Sequence, residues 1–222
     1  MILMIKAAIF DLDGTLVDTI EDIAAAVNAA MRKFGFPERN SAEMYRMVGN
    51  GMRNLISKAI PPGTAEAVID ACAAEATRAY AEKPAVFTRA YPGIDLLLER
   101  LREKGVPTGI ISNKPHLLTA MVVEAVFPGY PFRAVRGEQP GVPRKPDPAA
   151  PLAIAAELGA KPAEVLYLGD SDVDMHTAAA AGFYSVGAAW GFRGREELLA
   201  AGAQALAESP AEVLDLFEAR AN

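Results

Sequence analysis

The sequence predicts an α/β fold: a doubly wound parallel sheet, interrupted near its start by a small helical bundle. Three observations lead there. Short apolar runs recur at residues 5–10, 106–111, 132–135, 165–168 and 184–186. Between them lie "IDLLLERLREKG", "HLLTAMVVEAVF", "DPAAPLAIAAELG" and "DMHTAAAAG", with leucines and alanines at helical spacing and glycine closing several of them. The third is an anomaly of length, since residues 11 to 106 separate the first run from the second where a crossover needs one helix.

Each element rests on one of these. Strands alternating with helices make a parallel sheet covered on both faces, because every crossover lays a helix over the sheet. The long interval holds "IEDIAAAVNAAMRKFG", "SAEMYRMVGNGMRNLISKAI" and "TAEAVIDACAAEATRAYAEK", all helix-like and without a convincing strand. The expected division is a catalytic core from residues 1–19 and 90–222, with a helical insert at 20–89.

Composition narrows the class of function. The 222 residues suffice for one sizeable core and a smaller second lobe. With 51% hydrophobic and 23% charged residues the chain has an ordinary globular balance, which excludes disorder. A net charge of −6 argues against nucleic acid or an anionic membrane as partner, since both select a basic face. Cys72 stands alone and cannot form an internal disulfide, "MILMIK" is too short for a signal-peptide core, and no apolar stretch reaches membrane-spanning length. The expectation is a cytoplasmic protein acting on a small molecule, as monomer or homodimer.

Ligands of open α/β sheets bind outside the carboxyl ends of the strands. The residues just past each apolar run are therefore informative. The first run leads into Asp11-Leu12-Asp13-Gly14-Thr15, the second into Ser112-Asn113-Lys114-Pro115, the third toward Lys145 in "GVPRKPDP", and the fourth into Gly169-Asp170-Ser171-Asp172-Val173-Asp174. Each alone reads equally well as a turn, a cap or an acidic helix start. Together, at one sheet edge, they make a phosphoryl-transfer site.

A carboxylate can attack phosphorus and form an aspartyl phosphate, splitting one hard displacement into two easier ones. Two negative partners need neutralising, and Mg²⁺ suits that task because it takes oxygen ligands from carboxylates and phosphate. Asp11 and Asp170 form the obvious pair for the ion. Ser112, the Asn113 amide and the Lys145 ammonium supply donors to the phosphoryl oxygens. Asp13 is left to give a proton to the leaving alkoxide and take one from water.

These loops resemble the haloacid dehalogenase superfamily of phosphohydrolases, and within it the phosphoglycolate-phosphatase-like group with an early helical cap. The resemblance runs in order through "IFDLDGTLVDT", "VGNGM", "YPGI", "GIISNKP", "KPDP", "LGDSDVDMHTAAAAG" and "SVGAAWGFRG". It implies a Rossmann-like core and a Mg²⁺-dependent phosphatase of a small phosphorylated metabolite, 2-phosphoglycolate being favoured. It also implies Asp11 as nucleophile, Asp13 as acid/base and carbonyl ligand, Ser112, Asn113 and Lys145 as phosphate-binding, and Asp170 with Asp174 at the metal. Four-residue spacing favours Asp174 over Asp172, if the helix has begun by Asp170, and leaves the second acid open. "SN" stands where many relatives have "TN", which keeps the hydroxyl.

In the insert, glycines flank Asn50 in "VGNGM", a tight loop whose amides could face substrate. Asn50, Arg53 and Lys58 are the substrate-binding candidates, the two cations for a substrate carboxylate, with Arg46 nearby. His116, His176 and Cys72 read as capping, solvent and packing residues. A sugar-phosphate mutase would use the same loops and return the phosphoryl group to substrate. A dehalogenase needs neither Asp13 nor a metal, and a non-enzymatic regulatory subunit would not need four intact loops.

Overall fold

The computed structural model describes residues 4–220. β1 (Ala7–Phe10) is buried along its whole length, as a central parallel strand covered on both faces must be. A two-residue strand, β2 (Val17–Asp18), then leads out of the sheet into α1 (Ile20–Phe34), α2 (Ser41–Met44), α3 (Gly51–Ala59) and α4 (Glu66–Glu82). The chain returns through β3 (Arg89–Ala90), which pairs antiparallel with β2. Next come α5 (Ile94–Glu103), β4 (Thr108–Pro115), α6 (His116–Val126), β5 (Ala134–Glu138) and α7 (Ala149–Glu157). The remainder is β6 (Val165–Gly169), α8 (Asp172–Ala181), β7 (Tyr184–Ala188), α9 (Arg195–Ala200), β8 (Ala205–Ala207) and α10 (Pro210–Glu218).

The main sheet has the order β5-β4-β1-β6-β7-β8, and every pairing in it is parallel. The chain starts in the middle, winds outward through β4 and β5, then crosses back to β6 and winds the other way. The switch point lies beside β1, where loops on either side diverge and leave a crevice.

The inserted helices form their own packed layer. α1 buries Ile20, Ile23, Val27, Ala30 and Met31, a stripe at helical spacing, and Gly35 closes it in the left-handed region at φ 74°. α4 answers with Ile69, Cys72, Ala73, Ala76 and Tyr80, and both α1 and α3 pack against it. The two connections to the sheet are tied by Asp22, whose buried carboxylate accepts the backbone N–H of Phe87 at 3.0 Å and of Thr88 at 2.7 Å, plus the Thr88 hydroxyl at 2.7 Å.

Four details differ from the sequence reading. β2 and β3 lie outside it: two-residue strands carry no alternation, and only their mutual pairing creates them. β8, with three residues in "ALA", is equally short. The segment 41–60 is two helices, α2 ending at Met44 and α3 starting at Gly51, with Gly49 and Gly51 at positive φ (124° and 81°) where the second begins. Finally, β4 runs through Pro115, so Ser112 and Asn113 stand on the strand's end instead of after it.

Candidate active site

Asp11 comes directly after β1, and its N–H makes a last sheet bond to the Leu168 carbonyl at 2.9 Å. Gly14 then turns the chain at φ 86°; a Cβ there would come 2.3 Å from Asp170 Oδ2, so that turn requires glycine. The close approach has a use. Thr15 Oγ1 donates to Asp170 Oδ1 at 3.2 Å and the Phe192 N–H donates to Oδ2 at 2.7 Å, fixing Asp170 from both sides.

Asp174 arrives by a different route from the one its spacing suggests. α8 starts at Asp172 with Ser171 as N-cap, so Asp170 precedes the helix. Asp174 instead reaches back as a capping-box partner, its Oδ2 accepting from Ser171 N at 3.2 Å and Ser171 Oγ at 2.6 Å. Its Oδ1 accepts from Lys145 Nζ at 2.7 Å and from the Tyr167 hydroxyl at 3.1 Å. Asp172 is only half-buried and lies outside this cluster.

Asp11, Asp170 and Asp174 are buried, and each offers an oxygen within 4.8 Å of the others. Burial, then repulsion from Asp174, pushes the Asp11 carboxyl up to about 7 against the pull of Lys145. Burial, then repulsion from Asp174 and Asp11, holds Asp170 well above the usual carboxylate range. Burial opposes the Lys145 charge, but Asp11 and Asp174 outweigh it and keep that ammonium protonated. Lys145 Nζ lies 2.8 Å from Asp11 Oδ1, yet off hydrogen-bond alignment, so this buried oxygen has no hydrogen-bond partner. Three carboxylates against one ammonium, with an orphaned oxygen among them, fit a hard cation bound through oxygen.

Ser112 Oγ accepts the Lys114 N–H at 3.2 Å, which leaves the hydroxyl proton free to donate into the site. The Asn113 side chain is a three-way tie: Oδ1 accepts Lys145 N at 3.0 Å, while Nδ2 donates to the carbonyls of Lys145 at 3.2 Å and Gly49 at 3.1 Å. Arg193, from the loop after β7, reaches the same insert loop and donates to the carbonyls of Tyr45 at 3.0 Å and Val48 at 2.9 Å. One cavity lies beneath these contacts, with Asp11, Asp13, Ser112, Asn113 and Asp170 in its wall.

The structure does not bring the insert's candidate cations to that cavity. Arg53 is exposed and held outward by Asp70, 2.6 Å away, and by Glu66. Lys58 and Arg46 are exposed. Asn50 contributes its carbonyl to Arg144 at 3.4 Å, while its neighbours Gly49 and Gly51 line the cavity. Sequence reasoning passes over two cations in the wall, Arg193 and Lys114, the latter paired with Asp13. A signal for Lys114 exists: a lysine directly after six residues of buried strand has no short path to water. His116 accepts the Gly137 N–H at 3.3 Å, and His176 is exposed.

Comparison with known proteins identifies the family. The family model for haloacid dehalogenase-like hydrolases matches residues 8–188. A phosphoglycolate phosphatase of Pseudomonas putida is 35% identical over 215 residues, 95% of this chain and 76% of that one. The phosphoglycolate phosphatase of Xanthomonas campestris pv. campestris is 31% identical over 214 residues, covering 94% of both. A crystal structure from Lactobacillus delbrueckii subsp. bulgaricus superimposes with a TM-score of 0.91 at 28% identity, over 97% of this chain and 99% of that one. From the matched residues and the shared fold, the chain belongs to the haloacid dehalogenase-like hydrolase family, among its phosphatases.

Proposed function

We propose that this phosphatase hydrolyses 2-phosphoglycolate through an aspartyl-phosphate intermediate on Asp11, with Mg²⁺ as cofactor. The observation that carries the reading is the buried group of Asp11, Asp170 and Asp174 beside Lys145, at the mouth of β1. Asp11, Asp170 and the Asp13 carbonyl would hold the ion, with Asp174 beside them. Bound there, Mg²⁺ supplies positive charge against the carboxylate and the phosphoryl oxygens.

The chain's own groups carry the steps. An Asp11 carboxylate oxygen bonds to phosphorus as the ester P–O bond breaks, and the Asp13 carboxyl protonates the departing alkoxide. Ser112, the Asn113 amide and Lys145 hold the phosphoryl oxygens meanwhile. In the second half Asp13 takes a proton from water, whose oxygen bonds to phosphorus as the P–O bond to Asp11 breaks. Residues 20–89 act as the cap, seating the 45–51 loop over the cavity and excluding water. The substrate is supported by the two named relatives.

The test is a panel of phosphate esters with Mg²⁺, read as kcat/KM, alongside Asp11→Asn. We expect 2-phosphoglycolate to exceed neutral sugar phosphates, Asp11→Asn to lose turnover while keeping its fold, and beryllium trifluoride to bind on Asp11. Covalent phosphate on another residue would remove the nucleophile assignment. Faster turnover of neutral sugar phosphates would remove the substrate.

A further inference from the structure

We propose that Lys114 is a positioning residue for Asp13, and that Tyr80 of the helical insert holds it in place, so that seating of the insert prepares the proton-transfer group. The inference rests on the phosphatase reading above and adds to it a residue outside the motif chemistry. Lys114 Nζ stands 2.9 and 3.1 Å from the two oxygens of the Asp13 carboxylate. It also lies 4.2 Å from the centroid of the Tyr80 ring. Both charged side chains are largely buried, at 6% and 12% exposure, and Tyr80 is closed off completely at 1%.

An ammonium in such a place is tolerated because a carboxylate and an aromatic face stand in for water. Burial opposes its charge, and Asp13 more than compensates. Its backbone is fixed as well, the N–H on Ser112 Oγ and the carbonyl on Thr119 Oγ1, each at 3.2 Å. Lys114 therefore cannot follow Asp13 about; Asp13 must conform to Lys114. Contact with both carboxylate oxygens sets the plane of that group, the variable that decides whether the oxygen that takes a proton from water in one turnover meets the leaving oxygen in the next.

The three partners come from three places. Asp13 belongs to the β1 loop, Lys114 to the end of β4, and Tyr80 to the last turn of α4 in the insert. With the ring withdrawn the ammonium would face solvent and its grip on Asp13 would weaken, since exposed pairs are worth far less than buried ones. The other cationic side chain of the cavity wall outside the phosphate site, Arg193, is already committed to the Tyr45 and Val48 carbonyls.

The experiment compares kcat and KM for 2-phosphoglycolate, whose leaving alkoxide needs a proton, with p-nitrophenyl phosphate, whose leaving group does not. Lys114→Met should lower kcat for the alkyl ester by about 10²-fold or more, as loss of general acid catalysis does. It should lower kcat for the aryl ester by less than about 10-fold, which also shows that the variant is folded. Lys114→Arg should recover part of the alkyl rate, and Tyr80→Leu should shift the two esters in the same sense by a smaller factor. If Lys114→Met does not fold, Tyr80→Leu carries the comparison, because it leaves both charges in place. Equal losses on the two esters would overturn the proposal, as would a change confined to KM for 2-phosphoglycolate, which would make the amine a reader of the substrate carboxylate. Wild type inactive on every ester would remove the phosphatase reading itself, and the proposal with it.

Discussion

Asp11 is the residue where structure and chemistry pull hardest against each other. Its carboxyl is pushed up to about 7 by burial and by Asp174, whereas an unfolded chain would release that proton near 3.8. Between those values the folded chain holds a proton that the unfolded chain has lost, so the contribution of Asp11 to stability falls as pH rises through the window. Above about pH 7 its full penalty stands. We therefore expect metal-free Asp11→Asn to melt higher than wild type at pH 8, by about 2–4 °C for each kcal/mol relieved, and the gap to narrow steadily as pH falls towards the unfolded value of 3.8. Thermal melts in chelator decide this, and a variant less stable throughout would mean that the Lys145 ion pair outweighs burial. The same scale shows what sequence reasoning can and cannot find. Asp11, Asp13, Ser112, Asn113, Lys145 and Asp170 stand out because polar groups end apolar runs. Lys114 does not, because lysine in a sequence reads as solvent-facing and only the roof over β4 makes it buried.

Among the elements, the strands of the main sheet are legible where burial on both faces leaves an unbroken apolar run, as in β1 and β6. The short ribbon of β2 and β3 is not, nor is the face α3 turns to the cavity: which side of a helix meets the sheet depends on α4, whose Glu66 and Asp70 draw Arg53 outward. That ribbon and Asp22 together define how the insert leaves the sheet. Removing the Asp22 carboxylate takes the acceptor from the N–H groups of Phe87 and Thr88 and from the Thr88 hydroxyl, the Thr88 pair being buried, and unsatisfied buried groups cost about 1–3 kcal/mol each. Asp22→Ala should accordingly destabilise the protein by about 2–4 kcal/mol in urea unfolding. A loss below about 0.5 kcal/mol, the range of an ordinary surface change, would show that the ribbon holds the linkers unaided.

Across the whole molecule, the catalytic edge is built from groups that repel one another until something positive arrives. A ligand that binds only the folded chain stabilises it by mass action, about 2.7 kcal/mol at a hundred times its Kd. Protons compete for the same oxygens, since Asp11 and Asp170 both hold theirs above the ordinary range. Mg²⁺ should thus raise the melting temperature more at pH 8 than at pH 5.5, and Asp170→Asn should abolish the difference. Equal stabilisation at both pH values would place the ion elsewhere. Sequence reasoning reaches the carboxylate cluster because each member belongs to a motif, but not its energetics, which depend on distances among residues far apart in the chain.

Arg193 and Asn113 grip the 45–51 loop by its carbonyls and touch none of its side chains through hydrogen bonds. Every amino acid carries the same carbonyl, so the grip is indifferent to what the loop displays. Under the proposed function, the hold on the loop and the choice of substrate are thereby separable. Met52, which lines the cavity one residue past the loop, can be exchanged for other residues without loosening that grip, which makes it a place where a lineage, or an engineer, can reshape the cavity while the edge of the sheet beneath it stays as it is.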